Sequence, residues 1–494
     1  MTMSALNSAV SGLRIAQKAL DVTASNISNA ETEGYTKKTL SQSAVLADGV
    51  GVGVRYGEVQ RYVDAAVQRD YRVQLGVQNY YSTRESYLSR IIALSGSTDA
   101  ENNIGSAMGS LYNSFASLSV MPNNLASQNS VIAAAQNLTR MMNGFSTQLN
   151  SIRNDVQKDL KSEVSALNTA LENIAQLNKS IAGMESIGRS TAELEDQRDQ
   201  LVKQVSGQLD VSYFTDGSGV LVMQTKDGHV LVDREARPVE FSDGHLSVST
   251  LYPNPQVSGV ILKDAKNSNY DMAQHNVGGS IGALLNMRDQ EIPAYNAQLD
   301  ELAYQLAVRF EEQGMRLFTD GSGNIPVDNA SAYAGLAGTI KVNANVIADP
   351  GLIQQGTNGA TVAAGSNVVI DRVLNYTFGK TKDASGTPQN EFKMSNAGYN
   401  QQISFNIIGD PTATLQSFAN AMLDGQAADY NTTKEGMITE TRYMQELQTR
   451  LLDGSAVNTD EEMTRMIQFQ RTYSASAKMI SALDQLFRDL LNAV

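Results

Sequence analysis

The 494-residue chain contains no cysteine. Disulfides, thiolate zinc sites and cysteine nucleophiles are excluded together. The absence also suits a chain that spends part of its life unfolded and unbridged. Histidine is scarce, with three residues, His229, His245 and His275. None stands in an H-x-H or H-x-x-x-H spacing that would set two ligands on one face. Turn histidines are therefore expected rather than a metal site, although Asp227, Asp233 and Asp243 are close in sequence. Long apolar runs are missing as well. Stretches such as Val131–Ala135 fall far short of the ~20 residues that span a bilayer, so no membrane insertion is expected. The N-terminus, Met1-Thr2-Met3-Ser4-Ala5-Leu6, has no basic residue before Arg14, no apolar core segment and no cleavage site of the Sec type. An exported form would leave by a route that spares this end. Basic clusters are equally absent. With a formal charge of −14 and a pI near 4.8, the chain has no Lys/Arg run able to neutralise several phosphates, and no nucleic-acid partner is expected.

Catalytic patterns are missing too. Gly51-Val52-Gly53 lacks the third glycine and the strand–helix setting of a dinucleotide loop, and no serine-centred nucleophile elbow is present. Asp216-Gly217-Ser218-Gly219 and Asp320-Gly321-Ser322-Gly323 are near copies, but neither continues into a calcium ladder, and both read as tight turns. Glu311-Glu312 reads as solvated helix surface rather than a glycosidase dyad. No catalytic residue, cofactor or metal is assigned.

Periodicity is abundant. Leu6, Leu13, Leu20 and Ile27 recur every seven residues with Val10, Gln17 and Ala24 between them, an a/d stripe that stops near Gly34. At the other end Met466, Tyr473, Ile480, Phe487 and Val494 repeat likewise, alternating with Met463, Gln470, Ala477, Asp484 and Leu491. Thr459 with Glu462 reads as a capping box, and Leu483 and Leu490 widen the stripe beyond one seam. Polar residues sit inside both stripes, so the two helices would pair but seal poorly by themselves. Residues 1–50 and 445–494 are expected to become ordered only when neighbouring copies cover the remaining faces. The candidate assembly interface is Leu6, Val10, Leu13, Leu20, Ile27, Met466, Tyr473, Ile480, Phe487 and Leu491.

Between the ends the pattern is helical and proline-poor to about residue 207. Leu160, Val164, Leu167, Leu171, Ile174 and Ile181 form a coiled-coil seam read as core. From Leu209 short β-type runs separated by Asp-Gly turns take over. Further on, Ile340–Val346 and Ile403–Ile408 are strand candidates, and helix resumes before Met437. The expected fold is mainly α with β-rich insertions: paired terminal coiled-coil helices, a long-helix middle domain and outer β-rich parts. Residues 1–60 would pair with 440–494 as an inner core domain. Residues 61–208, completed by 276–317 and 433–439, would form the long-helix domain. An outer β-rich insert is expected at 209–275 and a mixed second insert at 318–432.

These residues resemble a known family, the axial proteins of the bacterial flagellum (rod, hook and hook-associated proteins). The run Ser11-Gly12-Leu13-Arg14-Ile15-Ala16-Gln17-Lys18-Ala19-Leu20-Asp21, continued through Ser25–Ala30 to Glu33-Gly34-Tyr35-Thr36, is similar to its N-terminal signature. Gly51–Val54 and Arg61–Asp64 resemble the segment that follows, and Asp460–Lys478 resembles the C-terminal signature. Leu194-Glu195-Asp196-Gln197-Arg198-Asp199-Gln200-Leu201 and Arg288–Pro293 with Gln298–Ala303 are similar to two internal helices of the hook-associated branch. Arg309-Phe310-Glu311-Glu312-Gln313-Gly314 departs from it, where many members carry Asn and His before the glycine. The resemblance implies a non-enzymatic structural subunit, an adaptor between hook and filament, with a radial order that puts the termini innermost. Implied partners are copies of itself in a ring, the hook protein on one side and the next hook-associated protein toward the filament. A flagellar export apparatus and an export chaperone are implied too, with an extracellular place in the flagellum reached without a cleaved signal peptide. A hook subunit or another axial protein is the nearest alternative. More distant is a secreted enzyme or adhesin whose activity would lie in 318–432.

Overall fold

The computed structural model describes residues 2–47, 50–96, 102–263, 269–327, 333–359, 362–392 and 413–492. The chain runs out from its N-terminus and returns to it. Helix α1 (Thr2–Ser28) leads into a two-stranded antiparallel hairpin, β1 (Lys38–Ala47) and β2 (Val50–Arg61). Four helices follow: α2 (Ala65–Ser95), α3 (Ile104–Val120), α4 (Leu125–Ser186) and α5 (Ala192–Gln208). Two three-stranded sheets come next, one of β3 (Val211–Thr215), β4 (Leu221–Thr225) and β5 (Val230–Val232). The other holds β6 (Val239–Glu240), β7 (Ile261–Lys263) and β8 (Asn269–Asp271).

Helices α6 (Gly279–Asn286) and α7 (Ile292–Glu312) are joined by one wide π-type turn over Met287–Glu291, just before Pro293, whose nitrogen cannot donate. Beyond them β9 (Phe318–Thr319) pairs with β10 (Lys341–Val342), followed by the short helices α8 (Ala344–Ala348), α9 (Leu352–Gln355) and α10 (Val368–Arg372). The chain comes home on α11 (Leu415–Ser455), packed along α2, and α12 (Thr459–Asn492), packed along α1.

The long middle helix α4 holds this together. Its 62 residues make a rod about 90 Å long at 1.5 Å per residue. The seam residues Leu160, Val164, Leu167, Leu171, Ile174 and Ile181 are all buried, the first five in one continuous core with α3, α5, α6 and α7.

Three asparagines on α4 clasp the main chain of the β-rich part. Each one donates through its side-chain amide to a carbonyl and accepts from the N–H of the same residue. Asn154 holds Leu246, Asn168 holds Val239, and Asn178 holds Leu221. Asn178 also donates to the carbonyl of Asp233 and accepts from the Arg198 guanidinium. The two Asp-Gly-Ser-Gly segments are turns: Asp216 accepts from the N–H groups of Ser218 and Val220, and Asp320 from those of Ser322 and Asn324.

Three expectations are corrected. Ile340–Val346 is mostly not strand: two residues pair as β10, and Asn343 then caps α8 through Asn345 N–H. Helix begins well before 433, inside the stretch expected to be a mixed insert. Thr414 caps α11 through Ser417 N–H, and Leu415, Phe418, Ala419, Met422 and Leu423 give it a buried face at helical spacing. The cap of α12 is Asn458, which accepts from Asp460 and Glu461 N–H, in place of the Thr459–Glu462 box. Ile403–Ile408 lies outside the described residues. Arg309, in the departing stretch, is buried and donates to the carbonyls of Ala413 and Asn390, beneath the Phe392 ring. Burial there pushes its pKa down to about 10.

The Asn178 clasp predicts a large local cost. Asn178→Leu, close in volume, strips partners from Leu221, Asp233 and Arg198 at once, and should lower stability by on the order of 3 kcal/mol. Urea denaturation followed by circular dichroism measures it.

Candidate assembly interface

The ends of the chain meet along an antiparallel seam between α1 and α12. Two close approaches fix its register. A Cβ added at Gly12 would lie 3.2 Å from Ser476 Oγ, and Asn26 Nδ2 donates to Glu462 Oε2 at 2.8 Å. The α1 side of this seam is made of small residues. Ala9, Ala16, Ala19 and Thr23 are buried with Gly12 between them at 3-4 spacing, and Asn26 closes the row. Opposite them α12 presents Met466, Phe469, Ile480, Leu483 and Phe487, half-buried, with buried Ser476 and Glu462 in the same row. Small side chains on one helix make room for large ones on the other, so the axes come close.

The heptad stripe read from the sequence lies beside this seam. Leu6, Val10, Leu13, Leu20 and Ile27 are half-buried, turned roughly a quarter of the way round α1 from the alanine row at 100° per residue. On α12 the row containing Met466, Tyr473, Ile480 and Phe487 does face α1, with Tyr473 still 39% exposed. Its alternate row is Phe469, Ser476 and Leu483, one residue off the expected Gln470, Ala477 and Asp484. Met463 points away and is 54% exposed, and Ile467, Met479 and Leu486 on the flanks are exposed too. The side chain of Leu491 lies outside the described residues. The α1 seam was missed because alanine and glycine leave no mark in an apolar pattern dominated by leucine.

The hairpin stands on α1 through Ser11, which accepts from Val54 N–H and meets the open side of Gly53. Its other face exposes Leu46, Val54 and Tyr56. Below it, charged side chains join four elements. Asp196 of α5 accepts from Thr36 N–H and Oγ1, from Lys38 Nζ at 2.8 Å and from Arg61 Nη1 at 2.9 Å. Asp199, one turn on, pairs with the same Arg61 nitrogen at 2.7 Å and with Arg72 of α2 at 2.9 Å. Lys37 reaches Glu461 at 2.7 Å, and the Asn26 amide bridges the Lys38 main chain to Glu462. These polar residues were not assigned as site residues, because most of their partners lie more than a hundred positions apart. The runs Ser25–Ala30, Glu33–Thr36, Arg61–Asp64, Leu194–Leu201 and Asp460–Lys478 marked the place by resemblance alone.

Among the described residues no group of three or more His, Asp or Glu could hold a metal, and no helix is long and apolar enough to cross a membrane.

Residues 90–324 match the family described as "Flagellar hook-associated protein FlgK helical domain". Residues 6–36 match "Flagella basal body rod protein", and 448–493 match "Flagellar basal body rod FlgEFG protein C-terminal". Flagellar hook-associated protein 1 of Bacillus subtilis is 27% identical over 552 residues, covering 100% of this chain and 98% of that one. The protein of the same name from Salmonella typhimurium is 25% identical over 566 residues, covering 99% of each. Over its whole length the chain is similar to flagellar hook-associated protein 1. A solved flagellar hook junction protein from Burkholderia pseudomallei aligns with 52% of this chain and 45% of that one, at 22% identity and a TM-score of 0.44. The chain is a structural component of the bacterial flagellum.

Two outcomes test the geometry. Ala19→Leu overfills the seam and should weaken pairing by about 1–3 kcal/mol, seen as faster proteolysis within α12. The joint should also respond to acid. Burial alone would raise the Asp199 pKa, but the charges and hydrogen bonds of Arg72 and Arg61 outweigh it and hold it below the ordinary 3.8. A lowered folded pKa stabilises fully above the ordinary value and is lost as pH falls through the folded one. Hydrogen-exchange protection factors at residues 61 and 62, beside the Arg61 that pairs with Asp199, should therefore fall below about pH 4, before the α4 core loses protection.

Proposed function

We propose that this chain is the adaptor subunit between hook and filament and is built into that junction by its two terminal helices. One observation carries the reading. The chain's ends lie paired along a seam of small residues, while large apolar side chains of both helices remain only partly covered. Leu6, Val10, Leu13, Leu20 and Ile27 on α1, with Tyr473 and the exposed flank residues of α12, would find cover against copies of the same chain. A ring repeats each such contact once per subunit. The hook protein would then adjoin one side and the next hook-associated protein the other.

Residues 1–60 with 440–494 act as the inner part in this reading. The long helices of 61–208, 276–317 and 433–439 come next, and 209–275 and 318–432 lie outermost. The β-rich part is treated as inert, and its polar groups are used on one another. Tyr270 donates to Asp227 and lies between the His229 and His275 rings, while Tyr252 donates to Asp271. Export would use the flagellum's own apparatus, with a chaperone holding the ends beforehand and no cleavage of the N-terminus. Removal of a leader of some 15 residues or more would take Ala9 and Gly12 out of the seam.

Leu13→Asp places a charge on a face that neighbours must cover, and Ile480→Asp places one in the α1–α12 seam itself, each a penalty of several kcal/mol per copy. Cells carrying either variant should keep hooks, lack filaments and shed flagellin into the medium, as seen by electron microscopy. Gln256→Asp, on an exposed loop of the outer part, should leave swimming intact. Normal filaments on the Leu13→Asp strain would overturn the reading, and hookless cells would point to a hook or rod subunit. In dilute isolated protein, limited proteolysis should cut first within 1–50 and 445–494.

A further inference from the structure

Lys38 and Arg61 stand opposite each other on the first rung of the hairpin, one at the start of β1 and the other at the end of β2. Asp196 binds both, so the two strands are gripped at the same level. Asp196 and Asp199 share one face of α5 at a spacing of three residues, which lets the Arg61 guanidinium sit between them. Arg61 Nε also reaches Glu195 at 2.7 Å, and Lys38 Nζ reaches Glu193 at 3.1 Å and lies over the Tyr35 ring. Arg72 ties Asp199 to α2. Gripped across a rung at both strands, the ribbon cannot swing about a single bond.

None of these groups belongs to α1 or α12. The links to the terminal helices form a second set: Asn26, Lys37, Glu461 and Glu462. The geometry points to Asp196 and Asp199 as positioning residues that seat the hairpin on the middle helices whether or not α1 has closed on α12. The direction in which the terminal pair leaves the middle of the molecule is then set by α5. A chain with open ends already carries the platform, Gly53 and Val54 above Ser11, against which α1 folds. Buried partners make the seat costly to break, because freeing one side strands a charge in the interior. Its consequence for assembly rests on the proposed function; the seat itself does not, and it is read in the single chain.

The lack of cysteine gives a clean test. Arg55→Cys on the hairpin and Lys158→Cys on α4, both exposed, carry two spin labels in the full chain at high dilution. Electron–electron double resonance should give a narrow distance distribution even where the ends are cut readily by protease. In Asp196→Asn/Asp199→Asn it should widen to about twice that width while the helical circular dichroism holds. Lys38→Met/Arg61→Gln removes the same contacts from the hairpin side, and should widen it alike should the α5 variant fold poorly. Asp196→Glu/Asp199→Glu, which keeps both charges, should recover most of the narrowness. Asp243→Asn, which breaks an exposed pair with Lys161, should leave it unchanged. A broad distribution in the unaltered chain overturns the proposal. So does an unchanged width in the variants that lose the clamp.

Discussion

Glu462 is a carboxylate with 1% of its surface exposed, and a carboxylate in such a place must be satisfied where it lies. Its Oε2 accepts from Asn26, 436 residues earlier, and its Oε1 lies 3.7 Å from the cations of Lys37 and Arg465, so the last helix is held to the end of the first. Much of the architecture answers that requirement. A chain whose two ends share one buried contact has to go out and come back, and α2 with α11 forms the return path alongside α1 with α12. Whatever is inserted between must open and close at the same end, which is why the β-rich parts sit between helices and not beyond them.

The polar contacts at that end are graded. The α1–α12 seam is thin: on α12 only Glu462 and Ser476 are buried among the described residues. The hairpin root is dense, with Lys38, Arg61 and Arg72 shared among four acidic residues of α5. The middle core is apolar and continuous over α3–α7. Stability therefore falls stepwise from the middle of the molecule to its ends, the order expected of a subunit that completes itself last where it meets others.

Much of this was legible in the sequence. The α4 seam could be read because a 4-3 pattern of large apolar residues and burial are the same fact seen twice. The β3–β4 turn could be read from Asp216-Gly217, since its geometry is local. The terminal helices were found, but the α1 face that meets α12 was not, because Ala9, Gly12, Ala16 and Ala19 pack by being small and periodicity counts only what is large. Thr459 and Glu462 had the spacing of a cap, yet Glu462 was taken by Asn26, a partner no local rule could supply. The start of α11 was placed too late for the opposite reason. Its buried face, Leu415 to Leu423, follows a stretch rich in Gly, Asn and Ser that masks the change of period. Arg61 and the Asp196–Asp199 run lay in motifs matched by resemblance, but no spacing rule could pair them, since the joint exists only once the hairpin folds back.

The three asparagine clasps on α4 have an evolutionary meaning. Asn154, Asn168 and Asn178 recognise peptide groups, and a peptide group is the same whatever residue carries it. The polar part of the sheets' attachment to the rod is thus blind to their sequence, while the apolar part, through buried Leu221, Val239 and Leu246, is not. Exposed positions there can drift without loosening the attachment. Divergence between relatives should collect on those sheets, and the rod that carries the asparagines should change more slowly.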